Sequence, residues 1–115
     1  MRVKAGMFVA ALVRRVFSDG GMAAVERRGA EEAGAILVRI RYRDGLEGLA
    51  GPAPQTAFDT ARPDVRLFEW RKVRVEGRVI DEAIASEARF DPDIWVVELE
   101  TDNPETYLDI GAPDV

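Results

Sequence analysis

Apolar positions along this chain change period several times, and each change marks an element. Phe8, Val9, Leu12, Val13, Val16 and Phe17 recur at the spacing of one helical face while Arg14 and Arg15 turn away from it, which predicts a first helix. Ser18-Asp19-Gly20-Gly21 ends it, because glycine takes the left-handed conformation that closes a helix. Met22 to Arg27 reads as a short strand, followed by a connection at Arg28-Gly29-Ala30-Glu31-Glu32.

The clearest alternation lies further on. Ile36, Val38, Ile40 and Tyr42 take turns with Leu37, Arg39, Arg41 and Arg43, the period-two signature of a half-buried strand. Asp44-Gly45 then predicts a two-residue type I′ hairpin turn. With that turn Arg43 pairs with Leu46, Arg41 with Gly48 and Arg39 with Ala50, so the arginines are expected to face small partners. Gly51-Pro52-Ala53-Pro54 ends the hairpin, since proline removes ladder donors. Gln55 to Pro63 reads as an irregular loop with one helical turn, and Arg66 to Val75 as an aromatic and β-branched strand with room for a bulge.

Helical spacing returns over Gly77 to Ala88, with Ile80, Ala83, Ile84 and Ala88 on one side and Asp81, Glu82 and Glu87 on the other. Phe90-Asp91-Pro92-Asp93 stops that helix. Ile94-Trp95-Val96-Val97 is apolar on both faces, which places the last strand inside the sheet. Residues 103–115 read as a loosely attached tail. The expected fold is α+β in the order α-β-β-β-β-α-β: a mixed or antiparallel sheet of about five strands, with two helices packed on one face.

Composition narrows the chemistry. The 115 residues suit one domain spanning 1–115, and 47% apolar with 32% charged residues is the balance of a folding chain. No stretch approaches the roughly 20 apolar residues that span a bilayer, and the short run from Gly6 to Val13 leads into Arg14 and Arg15 rather than a cleavage site. A cytoplasmic location is the expectation, with no membrane partner. There are no cysteines and no histidines, which excludes disulfides, thiolate nucleophiles, thiolate metal sites and a histidine general base. Ser18 and Ser86 sit in no G-x-S-x-G elbow, and the glycines form neither a P-loop nor a dinucleotide turn.

Several segments together carry a resemblance. They are Val13-Arg14-Arg15, the run from Arg27 to Ile36 (Arg-Arg-Gly-Ala-Glu-Glu-Ala-Gly-Ala-Ile), Gly51-Pro52-Ala53-Pro54-Gln55, and the run from Ala88 to Glu98 (Ala-Arg-Phe-Asp-Pro-Asp-Ile-Trp-Val-Val-Glu). Nearly the whole chain resembles a family of short alphaproteobacterial proteins known as domain of unknown function 1491. The resemblance implies a single-domain bacterial protein, and it brings no activity, cofactor or catalytic residue.

Charge supplies the remaining candidates. The net charge of −5 hides an asymmetry, with 14 Lys+Arg against 9 Asp+Glu over residues 1–74 and 2 against 12 over residues 75–115. Attraction between the two parts within the fold is the plain reading of that layout. Arg39, Arg41 and Arg43 stand roughly 7 Å apart on one strand face, and Arg66, Phe68, Trp70, Lys72 and Arg74 alternate onto one face of a later strand. Such rows fit an acidic protein partner, or single-stranded nucleic acid with Phe68 and Trp70 as stacking surfaces, although a pI near 4.8 weighs against the latter. Asp91, Asp93 and Glu98 could hold Mg²⁺ or act as paired carboxylates, yet no Ca²⁺-loop pattern surrounds them. The leading expectation is therefore a non-catalytic, cytoplasmic interaction or accessory domain without cofactor. It contacts an acidic partner through the arginine-bearing hairpin face, or forms a homodimer. The alternatives are nucleic-acid binding through that face and a carboxylate- or Mg-dependent enzyme.

Overall fold

A computed structural model describes residues 3–54 and 65–112, so the loop expected over Gln55 to Pro63 lies outside the described residues. In chain order the elements are α1 (Ala5–Ser18), β1 (Met22–Arg27), β2 (Ile36–Arg41), β3 (Glu47–Pro52), β4 (Leu67–Val75), α2 (Gly77–Phe90), β5 (Trp95–Glu100), a single 3-10 turn (Pro104–Thr106) and the two-residue β6 (Asp109–Ile110). The sheet runs β1-β5-β2-β3-β4-β6. It is mixed: β2 pairs parallel with β5 and β4 parallel with β6, while the other pairs are antiparallel. The α+β class and the order of elements match the reading from the sequence.

The two helices lie on opposite faces, which corrects the one-face arrangement. Val9, Leu12 and Val16 of α1 pack on Ile36, Val38 and Ile40 of β2 and on Trp95, Val97 and Leu99 of β5. From the other side, Ile80, Ala83, Ile84 and Ala88 of α2 meet Leu37, Leu49, Ile94 and Val96. The cause is in the strands: consecutive residues of β2 and β5 are apolar, so both sides of the sheet centre need cover and one helix can supply only one side. Parallel pairing of β2 with β5 aligns Val38 with Val97 and Ile40 with Leu99, which makes the two strands one slab.

Hairpin geometry departs from the expected type I′ turn by one residue. Tyr42 and Leu46 close the ladder, with the Tyr42 N–H donating to the Leu46 carbonyl at 3.0 Å and the Gly45 N–H to the Tyr42 carbonyl at 3.1 Å. Gly45 has φ +91°, so the loop is a type I turn followed by a left-handed glycine, the three-residue alternative that Asp-Gly also supports. Consequently Arg39 stands opposite Leu49 and Arg41 opposite Glu47. The arginines do not face small partners.

Two further differences concern β4 and the C-terminal segment. Strand β4 slips its register against β3 twice, between Glu47 and Leu49 and between Leu49 and Ala50, and Arg74 takes φ +44°. The bulge expected in this strand is thus present in doubled form. Residues 104–110 are not a loose tail: Pro104 and Leu108 are buried, and β6 pairs with Leu67 and Phe68. Leucine and tyrosine there add apolar surface to the α1 side of the core.

Ile80 is the fully buried residue of α2. Ile80→Ala is expected to lower stability by about 2–5 kcal/mol, read from urea unfolding, whereas Phe90→Ala, at a side chain 86% exposed, should change it by less than about 0.5 kcal/mol.

Candidate interaction surface

Arg39 leaves the sheet on the α2 side, where β2 is already covered, and is only 5% exposed. Three carboxylates from three elements surround it. Its Nε donates to Glu47 Oε1 of β3 at 2.6 Å, and Nη1 reaches Asp81 Oδ1 of α2 at 2.8 Å and Glu26 Oε1 of β1 at 3.0 Å. Nη2 adds a bond to the Gly77 carbonyl at 3.3 Å. Desolvation alone would lower the pKa of this guanidinium, but the hydrogen bonds to Glu47 and Asp81 and the charges of Glu26 and Glu47 outweigh it and hold the value raised. Glu47 is itself 7% exposed and lies against the start of α2, where a Cβ on Gly77 would stand 2.9 Å from its Oε2. Glycine at that position is what lets the carboxylate approach the positive end of the helix dipole.

Arg41 continues the network outward. It pairs with Glu47 at 3.3 Å and with Glu98 of β5 at 3.1 Å, and it remains partly open to solvent. Arg43 is not on the strand at all: it sits in the turn, exposed, with its backbone N–H donating to Asp102 at 2.9 Å. The expected stripe therefore grades from a buried arginine, through a paired one, to an exposed loop side chain. Attraction between the basic and acidic parts of the chain accounts for several of these pairs, including Arg39 with Asp81, Arg41 with Glu98 and Arg71 with Glu87 at 2.8 Å.

The second expected row is divided by the bulges of β4. Phe68 is buried against Phe8 with ring centroids 6.0 Å apart, and Trp70 lies half-buried beside the same core with its Nε1 donating to the Gly111 carbonyl. Lys72 sits opposite Leu49 of the other core, so it leaves the face that Phe68 and Trp70 share. Arg74 returns to the α1 side, stacked 4.0 Å over the Tyr42 ring and paired with Asp44 at 2.8 Å. Arg66 lies over Phe8 and donates to the Val3 carbonyl. Phe68 is thus closed to a base, while Trp70 keeps part of its ring at the surface. Tyr42 has a raised pKa, chiefly from burial, and Tyr107 one raised chiefly by its bond to Asp19, so both hydroxyls stay protonated at neutral pH.

Asp91, Asp93 and Glu98 are not brought together. Asp91 accepts the Asp93 N–H in a turn at the end of α2, while Glu98 is engaged by Arg41. Among the described residues no three acidic side chains are placed to hold a metal ion, and no helix is long and apolar enough to cross a membrane.

What reading the sequence missed is at the sheet edge. Strand β1 pairs only with β5, and its outer row of backbone groups has no partner among the described residues. Beside it three apolar side chains face solvent: Met22 at 55%, Val25 at 41% and Phe17 of α1 at 50% exposure. The Met22 to Arg27 strand was legible as a strand, but its edge position depends on the parallel β2–β5 pairing, for which no local signal exists. The other open edge, along β4, carries two bulges, a left-handed arginine and the charges of Glu69 and Lys72, and its start is capped by β6. Such irregularities and charges resist strand addition.

The chain belongs to the DUF1491 family, described as proteins of unknown function, whose model matches residues 3–109. It is similar to the solution structure of protein Atu0922 from A. tumefaciens, at 52% identity with 100% of both chains covered and a TM-score of 0.86. A crystal structure of a DUF1491 family protein from Caulobacter crescentus CB15 matches at 30% identity over 97% of this chain and 100% of that one, with a TM-score of 0.78. An NMR structure of a DUF1491 family protein from the same organism matches at the same identity and TM-score, over 97% and 99%. No curated protein matches the chain. The family resemblance read from the sequence holds, and it assigns no activity.

Arg39→Ala leaves Glu47, Glu26 and Asp81 without their central cation and is expected to cost about 3–5 kcal/mol in chemical denaturation. Arg43→Ala, at an exposed loop position, should stay within about 0.5 kcal/mol.

Proposed function

We propose that this chain is a non-catalytic interaction domain of the bacterial cytoplasm whose contact surface is the β1 edge together with the adjoining side of α1. The observation that carries the reading is the coincidence of an open strand edge with exposed Met22, Val25 and Phe17. An edge strand offers unpaired N–H and C=O groups to an incoming strand, and apolar side chains beside it supply the area that makes such an addition favourable. A chain without cysteine suits a reducing compartment.

The arginine-bearing hairpin face carries an acidic-partner reading only at its tip. Arg39 is engaged inside the fold and Arg41 is shared between Glu47 and Glu98, which leaves Arg43 as the hairpin guanidinium without an ion pair among the described residues. A single exposed arginine flanked by Asp44 and Asp102 makes a weak donor site for an acidic surface.

A photoreactive phenylalanine analogue placed at position 25, and separately at position 43, decides between the two faces. Irradiation in living bacteria is expected to give a discrete adduct from position 25. Adducts from position 43 alone would move the contact surface to the hairpin tip and refute the edge reading.

A further inference from the structure

The two ends of the β1 edge carry opposite charge, and that layout identifies what covers it. Asp19 stands at the start, in the turn that joins α1 to β1, exposed and accepting the Tyr107 hydroxyl at 2.7 Å. Arg27 and Arg28 stand at the finish, with the Arg28 side chain 76% exposed, over the Trp95 ring and in a solvent-screened pair with Glu31 at 3.7 Å that a second carboxylate can join or replace. Between them the strand is uncharged from Met22 to Val25. A sequence acidic at one end and basic at the other complements itself when a second copy runs in the opposite direction.

Resting on the reading that β1 is the contact surface, we infer that its occupant is a second copy of this chain, paired antiparallel through β1 about a two-fold axis at Ala24. An antiparallel pair of identical strands has its axis through one residue and its own counterpart, and residues opposite one another share a face. With Ala24 on the axis, position 23 lies opposite 25 and 22 opposite 26, where the slip between Val25 and Arg27 ends the regular register; beyond it the Arg28 segment of one copy runs towards the Asp19 turn of the other. Ala23 and Val25 pair across β5 with Leu99 and Val97, both residues of the α1-side core, so both project to the α1 side. Val25 of each copy therefore meets Ala23 of the other on the α1 side of the sheet. Met22 lies along the stem of Glu26, whose carboxylate stays on Arg39. At each end Arg28 of one copy comes alongside Asp19 of the other, twice over because the interface is isologous.

The irregularities of β1 and β4 agree with this choice. Strand β1 has one register slip, between Val25 and Arg27, near the end of the paired stretch, whereas β4 is broken at two places in its middle. A parallel, head-to-tail addition at β1 would set like charge beside like charge and would not close. Antiparallel self-pairing satisfies the open row of β1 in both copies and leaves the β4 edges outward as the protected ends of a continuous twelve-stranded sheet, twice the six strands of one chain.

Charge exchange tests this directly, with sedimentation velocity and native mass spectrometry as readouts. The wild-type chain is expected at twice its 12.7 kDa mass. Arg28→Glu and Asp19→Arg should each weaken the dimer by about tenfold or more, since two attractive pairs become two repulsive ones. Mixing the two variants should restore a heterodimer, because both end contacts then join opposite charges again; that recovery also shows both variants are folded. Val25→Lys, at an exposed position, should give a monomer without such rescue. A dimer indifferent to all three changes overturns the inference. A pure wild-type chain that stays at 12.7 kDa while position 25 cross-links to a different protein overturns the second copy but leaves β1 as a contact surface, and absence of any adduct from position 25 overturns both.

Discussion

One buried cation organises the α2 side of this fold. Strand β2 is covered on both faces, so an arginine at position 39 must either be accompanied into the interior by carboxylates or prevent the helix from docking. The chain supplies Glu47 from the neighbouring strand, Asp81 from the helix above and Glu26 from the sheet edge. Each of those elements is thereby tied to β2 through a single guanidinium, whose planar fork suits several acceptors at once. Glycine at position 77 belongs to the same constraint, since a side chain there would collide with the Glu47 carboxylate.

That arrangement inverts the meaning of the arginine row. A strand carrying three alternating arginines invites an external anion as partner, but here acidity is provided from within, and by elements distant in sequence. The acidic last third of the chain is part of the answer through Asp81, Glu87 and Glu98, yet Glu47 and Glu26 come from the basic part itself. Surface that remains outward is correspondingly mixed in charge. Exposed apolar side chains occur singly elsewhere, as at Met7 and Phe90, but Met22 and Val25 lie on β1, which among the described residues is the strand edge without strong protection.

Local order was legible from the sequence wherever periodicity was unbroken: both helices, the alternation of β2, the two-sided apolar character of β5 and the bulged character of β4 could all be read directly. The hairpin register could not, because Asp-Gly supports both a two-residue and a three-residue loop. The opposition of Arg41 and Glu47 is the one cue that distinguishes them, as only the longer loop aligns the two. Helix placement on opposite faces was foreshadowed by Ile94-Trp95-Val96-Val97, whose two apolar sides imply cover on both. Burial of Arg39, the packing of Leu108 and the edge position of β1 depend on long-range pairing, and no window of sequence carries that information.

Exchange of the arginine side-chain Nε–H protons with solvent, followed by NMR, probes the central point, that the hairpin arginines are bound within the fold rather than offered to a partner. The Arg39 Nε–H, held at 2.6 Å from Glu47, should exchange slowly and keep its shift when a polyanion such as heparin is added, while Arg43 exchanges fast. An Arg39 resonance that exchanges as fast as Arg43, and moves with the polyanion, would contradict the burial of that cation among its carboxylates.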